Sequence, residues 1–332
     1  MTRPRAHLNA FITTTAPDPA LDHYVRVART AERGLFDSVL LDDQAGLDPL
    51  DLAAALAPET THLGLIATAS TSHAPYELAR RVSTLDHLSG GRAGWNLSLA
   101  ADSDDGERFA RAAEFVDVVR TLWDTWDDDA IVDDTSKGIW ADPEKIHPAG
   151  FRGSYYDVAG ALAVPRAPQG HPVLGRVGSS AASTDLAGRV ASLDFTPQPT
   201  IEAGRTFRAK LQAAARDHGR PADSILSLPS LAFVLGSTEA EATARHDELG
   251  DTDAGFAGTP EQLAELIEKW VTEGGSDGFT LQSTTLPDSL ELFVDHVVPL
   301  LQKRGLHRTE YTGTTLRDHL GLARPEAPIR SA

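Results

Sequence analysis

Cysteine is absent from all 332 residues. That absence removes disulfides, thiolate nucleophiles, cysteine-ligated zinc and iron–sulfur clusters together. Basic residues are outnumbered, with 30 Lys and Arg against 48 Asp and Glu and a formal net charge of −18. A nucleic-acid partner, which needs clustered cations, is not expected, and charge of this size favours solubility. No apolar run is long enough to span a bilayer, and MTRPRAHLNA lacks a signal-peptide pattern. The expectation is therefore no membrane partner and a cytoplasmic location. There is no H-E-x-x-H, no close His pair and no G-x-S-x-G, so neither a zincin helix nor an acyl-transfer serine is supported. The acidic groups Asp102/Asp104/Asp105, Asp127 to Asp129 and Asp133/Asp134 lack the spacing of a calcium loop and read as solvated loop charge. No metal is expected.

What is present is ordinary globular composition, 41% hydrophobic and 23% charged, with strand patterns that alternate with helix patterns. Strands are predicted at Leu8 to Thr13, Asp37 to Asp43, Leu63 to Ser70, Arg92 to Leu99, Pro172 to Val177, Val190 to Phe195, Ile225 to Leu235 and Gly278 to Gln282. Helices fall between them, opened by Asp18-Pro19, Asp48-Pro49 and Pro75 and stopped at Gly34, by Pro58 and at Gly90-Gly91. A longer helix covers Asp105 to Trp126, and others cover Ile201 to His218, Thr238 to Glu248, Pro260 to Thr272 and Pro287 to Lys303. Asp127 to Gln169 reads as hairpins, and the chain beyond Gly305 as a surface tail. Strands separated by helices pair in parallel through right-handed crossovers. Eight such units predict a (β/α)8 TIM barrel spanning 1–332 as one domain, with an irregular insertion after the fourth helix. A doubly wound open sheet is the other architecture, and the lack of G-x-G-x-x-G after the first strand lowers it.

The pivotal stretch is Leu78 to Ser98, LARRVSTLDHLSGGRAGWNLS. Its strand places Ala93, Trp95, Leu97 and Leu99 on one face and Gly94, Asn96 and Ser98 on the other. With the apolar face turned to the covering helices, Asn96 faces the interior near the strand's carboxyl end, an odd place for an amide unless something binds there. Thr68 and Ser70 fall similarly on the third strand. The run PVLGRVGSS, Pro172 to Ser180, leads from a strand into a helix. Gly178, Ser179 and Ser180 would offer backbone N–H groups and hydroxyls to an anion, although serine is equally a common helix N-cap. Arg176 shares a face with Leu174, and His73 follows the third strand within reach of a barrel mouth. Both are candidates for contacting substrate. No residue stands out as a catalytic acid or base.

These segments also resemble a known family. LARRVSTLDHLSGGRAGWNLS is similar to the signature of the bacterial-luciferase-like flavin monooxygenases, in the branch of nitrilotriacetate, EDTA and dibenzothiophene-sulfone monooxygenases. The similarity extends through FDSVLLDD (Phe36 to Asp43), ATAST (Ala67 to Thr71), RAAEFVDVVRTLWDTWDDDA (Arg111 to Ala130) and APQGHPVLGRVGSS (Ala167 to Ser180), then GTPEQLAELIEKWVTEGGSDGF (Gly258 to Phe279) and RGLHRTEYTGTTLRDHLGL (Arg304 to Leu322). The resemblance implies a (β/α)8 barrel, FMN supplied in reduced form by a separate flavin reductase, oxygenation of a small organic substrate containing sulfur or nitrogen, and a homo-oligomer. It implies that Asp43, Thr68 and Asn96 border the flavin ring and Ser179 or Ser180 the phosphate. Alternation leaves Asp42 and Asp43 both open, and the resemblance selects Asp43. Other luciferase-like branches use F420 for hydride transfer, the alternative cofactor, and a non-catalytic flavin-binding member is a third possibility. Three departures stand out. Asp105 and Phe109 occupy the positions of a His-x-x-x-Tyr pair, Thr13-Thr14-Thr15 replaces a His-rich segment, and the insertion before GTPE shrinks to a link around Gly250 to Gly255, which implies a shortened lid.

Overall fold

The computed structural model describes residues 5–13, 20–43, 46–99, 105–248, 255–283 and 285–328. The chain opens with β1 (His7–Ile12), α1 (Leu21–Arg33), β2 (Ser38–Leu41), α2 (Pro49–Leu56), β3 (Gly64–Ser70), α3 (Pro75–Ser89), β4 (Ala93–Ser98) and α4 (Asp105–Trp123). Local chemistry explains the boundaries. Asp48 caps α2 by accepting from the N–H groups of Leu50 and Asp51, and Pro75 occupies the first turn of α3, where a missing N–H costs nothing. Gly90 ends α3 in the left-handed region at φ 66°, a conformation that favours glycine. Two small antiparallel ribbons follow, β5 (Ile131–Asp134) with β6 (Ile139–Ala141) and β7 (Phe151–Arg152) with β8 (Asp157–Val158). They occupy the segment predicted as hairpins. The second is held to α4 by Glu114, which accepts from the N–H groups of Ser154, Tyr155 and Tyr156.

The second half contributes β9 (Val173–Arg176), α5 (Ala181–Val190), β10 (Leu193–Asp194), α6 (Ile201–Asp217), β11 (Leu226–Ser227), β12 (Ser230–Leu235), α7 (Glu239–Glu248), β13 (Phe256–Gly258), α8 (Pro260–Thr272) and β14 (Gly278–Ser283). A final helical run follows, α9 (Asp288–Leu292) leading through a wide π-type turn at Phe293–Val297 into α10 (Val298–Lys303). Pro299, which cannot donate, sits just after the wide turn. The sheet order is β11-β10-β9-β4-β3-β2-β1-β14-β12-β13, and every pairing within it is parallel.

The β11 end of that order returns to β14. The predicted seventh strand, Ile225 to Leu235, is broken between Ser227 and Ser230, where Pro229 removes a ladder donor. Its first half pairs with β10 and its second with β14. Across the break, Asp277 N–H donates to Ser227 O at 2.9 Å and Thr280 N–H to Pro229 O at 3.1 Å, which closes the barrel. The predicted sixth strand is also shorter, because Val190 still belongs to α5. The fourth helix stops at Trp123 instead of Trp126. The strand β13 had no counterpart among the predicted elements, and the link around Gly250 lies outside the described residues except for Gly255.

Two apolar layers result. Helices and strand backs share the larger core, where Trp95 points outward to Phe115 and donates to Ala69 O at 3.0 Å. The barrel interior holds a smaller one of Leu40, Ile66, Val173, Leu193, Phe195 and Leu228, joined by Leu316 and Leu320 of α11 (Leu316–Leu320). The tail is therefore not a surface wrap along its whole length. Leu316 seals the floor beside Gly64, and burying one such side chain contributes about 2 kcal/mol. The junction is tied by Arg308, whose guanidinium donates to Asp37 and to His319 O. Above the floor, Ser38 donates to Asn9 Oδ1 at 3.0 Å and Asn9 to Thr280 at 3.3 Å, so this polar layer is internally satisfied. Among the described residues no helix is long and apolar enough to cross a membrane.

Candidate functional site

At the carboxyl ends of the strands, where barrels place their sites, lies a cleft of about 490 Å³. Its wall includes Asp42, Thr68, Asn96, Arg108, Phe109 and Arg176, with Gly178 to Ser180 at one end. Thr68 and Asn96 are register partners on β3 and β4, and both are buried. Asn96 Nδ2 donates to Thr68 Oγ1 at 3.0 Å, while Asn96 Oδ1 is buried without a hydrogen-bond partner among the described residues. An orphaned acceptor of this kind is costly unless a ligand donor meets it. The alternation reading of β4 thus places its amide in the cleft.

The turn after β9 is built around glycine. Gly178 has φ 145°, and a Cβ there would lie 2.2 Å from Ser183 Oγ. Its N–H donates to Thr196 Oγ1 at 2.8 Å. Ser180 caps α5 by accepting from Ser183 N–H at 3.1 Å, and Ser179 is exposed beside it. Behind the turn, Arg176 donates to Ser183 Oγ from Nε at 3.1 Å and from Nη2 at 2.7 Å. Its guanidinium lies over the Phe109 ring, 5.3 Å from the centroid, and that of Arg108 lies 5.5 Å from the same centroid. Burial lowers the Arg176 guanidinium to about 10, opposed by Asp194 and reinforced by Arg108. Serine hydroxyls, a helix amino end and two guanidiniums make this end of the cleft a cradle for an anion.

Not every sequence candidate arrives here. Asp42 lines the cleft, on the same strand face as Leu40, whereas Asp43 is exposed and outside the lining, its N–H donating to Asp42 Oδ1 at 2.9 Å. His73 is exposed and outside the lining as well. Of Asp105 only the helical backbone is described. Arg108, Ser183 and Asp194 were not anticipated, although Asp194 stands one residue before the end of the sixth predicted strand, as Arg176 does in the fifth. The two are register partners.

Asp194 carries a pH signature. Burial pushes its carboxyl up to about 6, against the pull of its Thr196 hydrogen bonds and of Arg176. The folded chain then keeps a proton that the unfolded chain, with an ordinary aspartate near 3.9, has released. Stability contributed by this group falls as pH rises from about 4 to about 6, by about 3 kcal/mol in all. Asp194→Asn keeps an acceptor for Thr196 and removes the titration. Urea unfolding from pH 4 to 7 should show the variant gaining on the parent through that window and levelling above it. A constant difference across the range would refute the assignment.

A closed parallel barrel with a polar cleft at its carboxyl end defines an α/β-barrel protein with a candidate ligand site. The comparisons with known proteins narrow the class. The model of the luciferase-like monooxygenases matches residues 5–250. The chain is similar to N-acetyl-S-(2-succino)cysteine monooxygenase of Bacillus subtilis (strain 168), 33% identical with 96% of this chain and 94% of the relative covered. It is similar to nitrilotriacetate monooxygenase component A of Aminobacter aminovorans, 33% identical over 93% and 91% of the two chains. Among solved structures, riboflavin lyase with modified FMN and riboflavin superposes with a TM-score of 0.89 at 27% identity, covering 97% of each chain. The chain belongs to the luciferase-like monooxygenase family, whose members are oxidoreductases. The first of these alignments runs over 416 positions, more than the 332 residues available, so the relative carries internal segments that this chain lacks.

Proposed function

We propose that the protein is an FMN-dependent monooxygenase that receives reduced flavin from a separate reductase and oxygenates a small organic substrate containing sulfur or nitrogen. The observation that carries this reading is the pairing of the orphaned Asn96 Oδ1 with a glycine-and-serine cradle at the other end of one cleft. An isoalloxazine ring presents an imide N–H that suits an unpartnered acceptor, and its chain ends in a phosphate that suits Ser179, Ser180 and the amino end of α5. The residues present therefore fit the cofactor. Thr68 and Asn96 would border the ring with Asp42, and Gly178, Ser179 and Ser180 would hold the phosphate. Asp43, assigned to the ring by resemblance, is replaced in this reading by its neighbour.

Arg176 and Arg108 flank the cradle, so we assign them to the phosphate end and not to substrate. Phe109, which lacks the phenol hydroxyl of the usual tyrosine, serves as the ring on which both guanidiniums lie. Reduced flavin, when bound, supplies the electrons that activate oxygen. The chain's part is to orient the ring, exclude water with Leu97, Leu99 and Val177 along the cleft wall, and position substrate. The component A relative supports a two-protein arrangement, and the missing internal segments support a shortened lid.

The apoprotein should be titrated with FMN, reduced FMN and F420, then incubated with a flavin reductase, NADH and candidate thioethers or tertiary amines. Flavin binding that Asn96→Leu weakens about tenfold, the loss of one well-made hydrogen bond, together with oxygen-dependent product, is expected. Tight F420 binding without oxygen consumption would overturn the proposal.

A further inference from the structure

At the opposite, amino-terminal end of the barrel lies a second cavity of about 490 Å³. His171, Ser192 and Pro221 to Ser224 precede β9, β10 and β11 there, and the tail from Gly321 to Pro325 closes one side. Three guanidiniums converge on it, those of Arg120, Arg220 and Arg317. Each is held by main-chain carbonyls. Arg120 donates to Val190 O at 2.6 Å, Arg220 to Gly188 O at 2.7 Å and Ala191 O at 2.6 Å, and Arg317 to His171 O and Ala323 O, both at 2.9 Å. Among the described residues, none of the three has a carboxylate within salt-bridge distance. The nearby acids are engaged elsewhere, Asp117 with Arg189 and Asp124 with Arg166 and His171. Nε and Nη1 of Arg120, Nε of Arg220 and Nη2 of Arg317 have no protein partner among the described residues.

Clustering three like charges with no carboxylate in salt-bridge contact among the described residues is unfavourable, even with Asp117 and Asp124 acting on Arg120 from a distance, and it calls for a counter-charge. Burial and the mutual repulsion with Arg120 bring Arg220 and Arg317 down to about 10, so both remain charged at neutral pH, while burial also lowers Arg120 against the pull of Asp117. The helix dipole of α5, whose last carbonyls Arg120 and Arg220 hold, offsets only about half a charge. We propose that this cavity is a binding site for a phosphate-type dianion, gripped by Arg120, Arg220 and Arg317 and separate from the flavin cleft. The two sites lie at opposite ends of α5, a helix of 10 residues, about 15 Å long. Asp223 is exposed at the rim and is the one carboxylate lining the cavity.

The test is calorimetric titration with inorganic phosphate at constant ionic strength, with the substitutions below assigning the heat to this cavity and not to the upper cleft. A saturable heat is expected that chloride does not reproduce. Arg220→Gln should weaken it about tenfold or more, the loss of one charge-assisted contact. Asp223→Asn should strengthen it about threefold by removing a repelling charge in a partly solvated rim. If Arg220→Gln fails to fold, Asp223→Asn alone decides. Glycerol 3-phosphate binding more tightly than phosphate would identify the dianion as the end of an organic molecule, and equal affinity would identify the free ion. No saturable heat, or a heat that neither substitution moves, overturns the proposal.

Discussion

Replacing Arg92 by leucine is expected to lower the unfolding free energy by about 4 kcal/mol, a large fraction of what a domain of this kind holds. Arg92 sits between the glycine stop of α3 and the first residue of β4, and it is 3% exposed. Its guanidinium donates to Ser89 O at 2.7 Å, Leu63 O at 2.7 Å, Ala57 O at 2.8 Å, Thr60 O at 3.0 Å and Thr60 Oγ1 at 2.8 Å. One side chain thereby gathers the end of α2, the entry to β3 and the end of α3. Burial lowers its pKa from the usual arginine value, with Glu32 opposing the shift. A leucine would fill much of the volume but leave four carbonyls sealed from water without donors, each costing about 1–3 kcal/mol before relaxation. Arg92→Lys should fall between, because an ammonium cannot reach the whole ring of acceptors with a planar fork. Denaturant unfolding of the three proteins measures the series. A loss below about 1 kcal/mol in Arg92→Leu would mean that water satisfies these carbonyls, and the account of the junction would fail.

The same segment shows why parts of the molecule were legible and others were not. The β4 pattern separates large apolar residues from Gly94, Asn96 and Ser98, and the structure agrees for Trp95 in the outer core and Asn96 in the cleft, while Leu97 and Leu99 at the strand's carboxyl end also reach the cleft wall. At Asp42 and Asp43 two like residues are adjacent at the strand's end, and a one-residue shift exchanges the faces. Pattern alone cannot choose there, and the resemblance chose the exposed one. The seventh strand reads as continuous because Leu226 to Leu235 is mostly apolar, yet one missing N–H at Pro229 lets the barrel hand over from β10 to β14. The tail was opaque for another reason. Leu316 and Leu320 make only a single i, i+4 pair in a helix of five residues, and their burial depends on the shape of a floor built by strands far away in sequence. The Arg108, Phe109 and Arg176 arrangement brings α4 against β9, a contact that no local pattern encodes.

Substituting Gly178 by valine should weaken FMN binding by about thirtyfold or more while leaving the barrel folded, a loss equivalent to about 2 kcal/mol. The backbone there has φ 145°, a region that β-branched residues avoid. The new Cβ would fall 2.2 Å from Ser183 Oγ, so either the turn opens or Ser183 moves. Both outcomes damage the cradle. Opening the turn draws the Gly178 N–H from Thr196 and shifts Ser179 and Ser180 off the amino end of α5. Moving Ser183 releases the two donors of Arg176, whose guanidinium then loses its seat over Phe109. Since the turn follows a strand whose register is set by Asn96↔Gly175 and Leu97↔Arg176, the disturbance should stop at the cleft, with a melting temperature only a few degrees lower. Gly106→Ala is the control. Gly106 lies on exposed helix in the first turn of α4, with no described atom within 4 Å of an added Cβ, and alanine there should leave flavin affinity unchanged. Fluorescence titration with FMN reads all three proteins. Parental affinity in Gly178→Val would remove the phosphate from this turn and with it the assignment of the cleft to flavin.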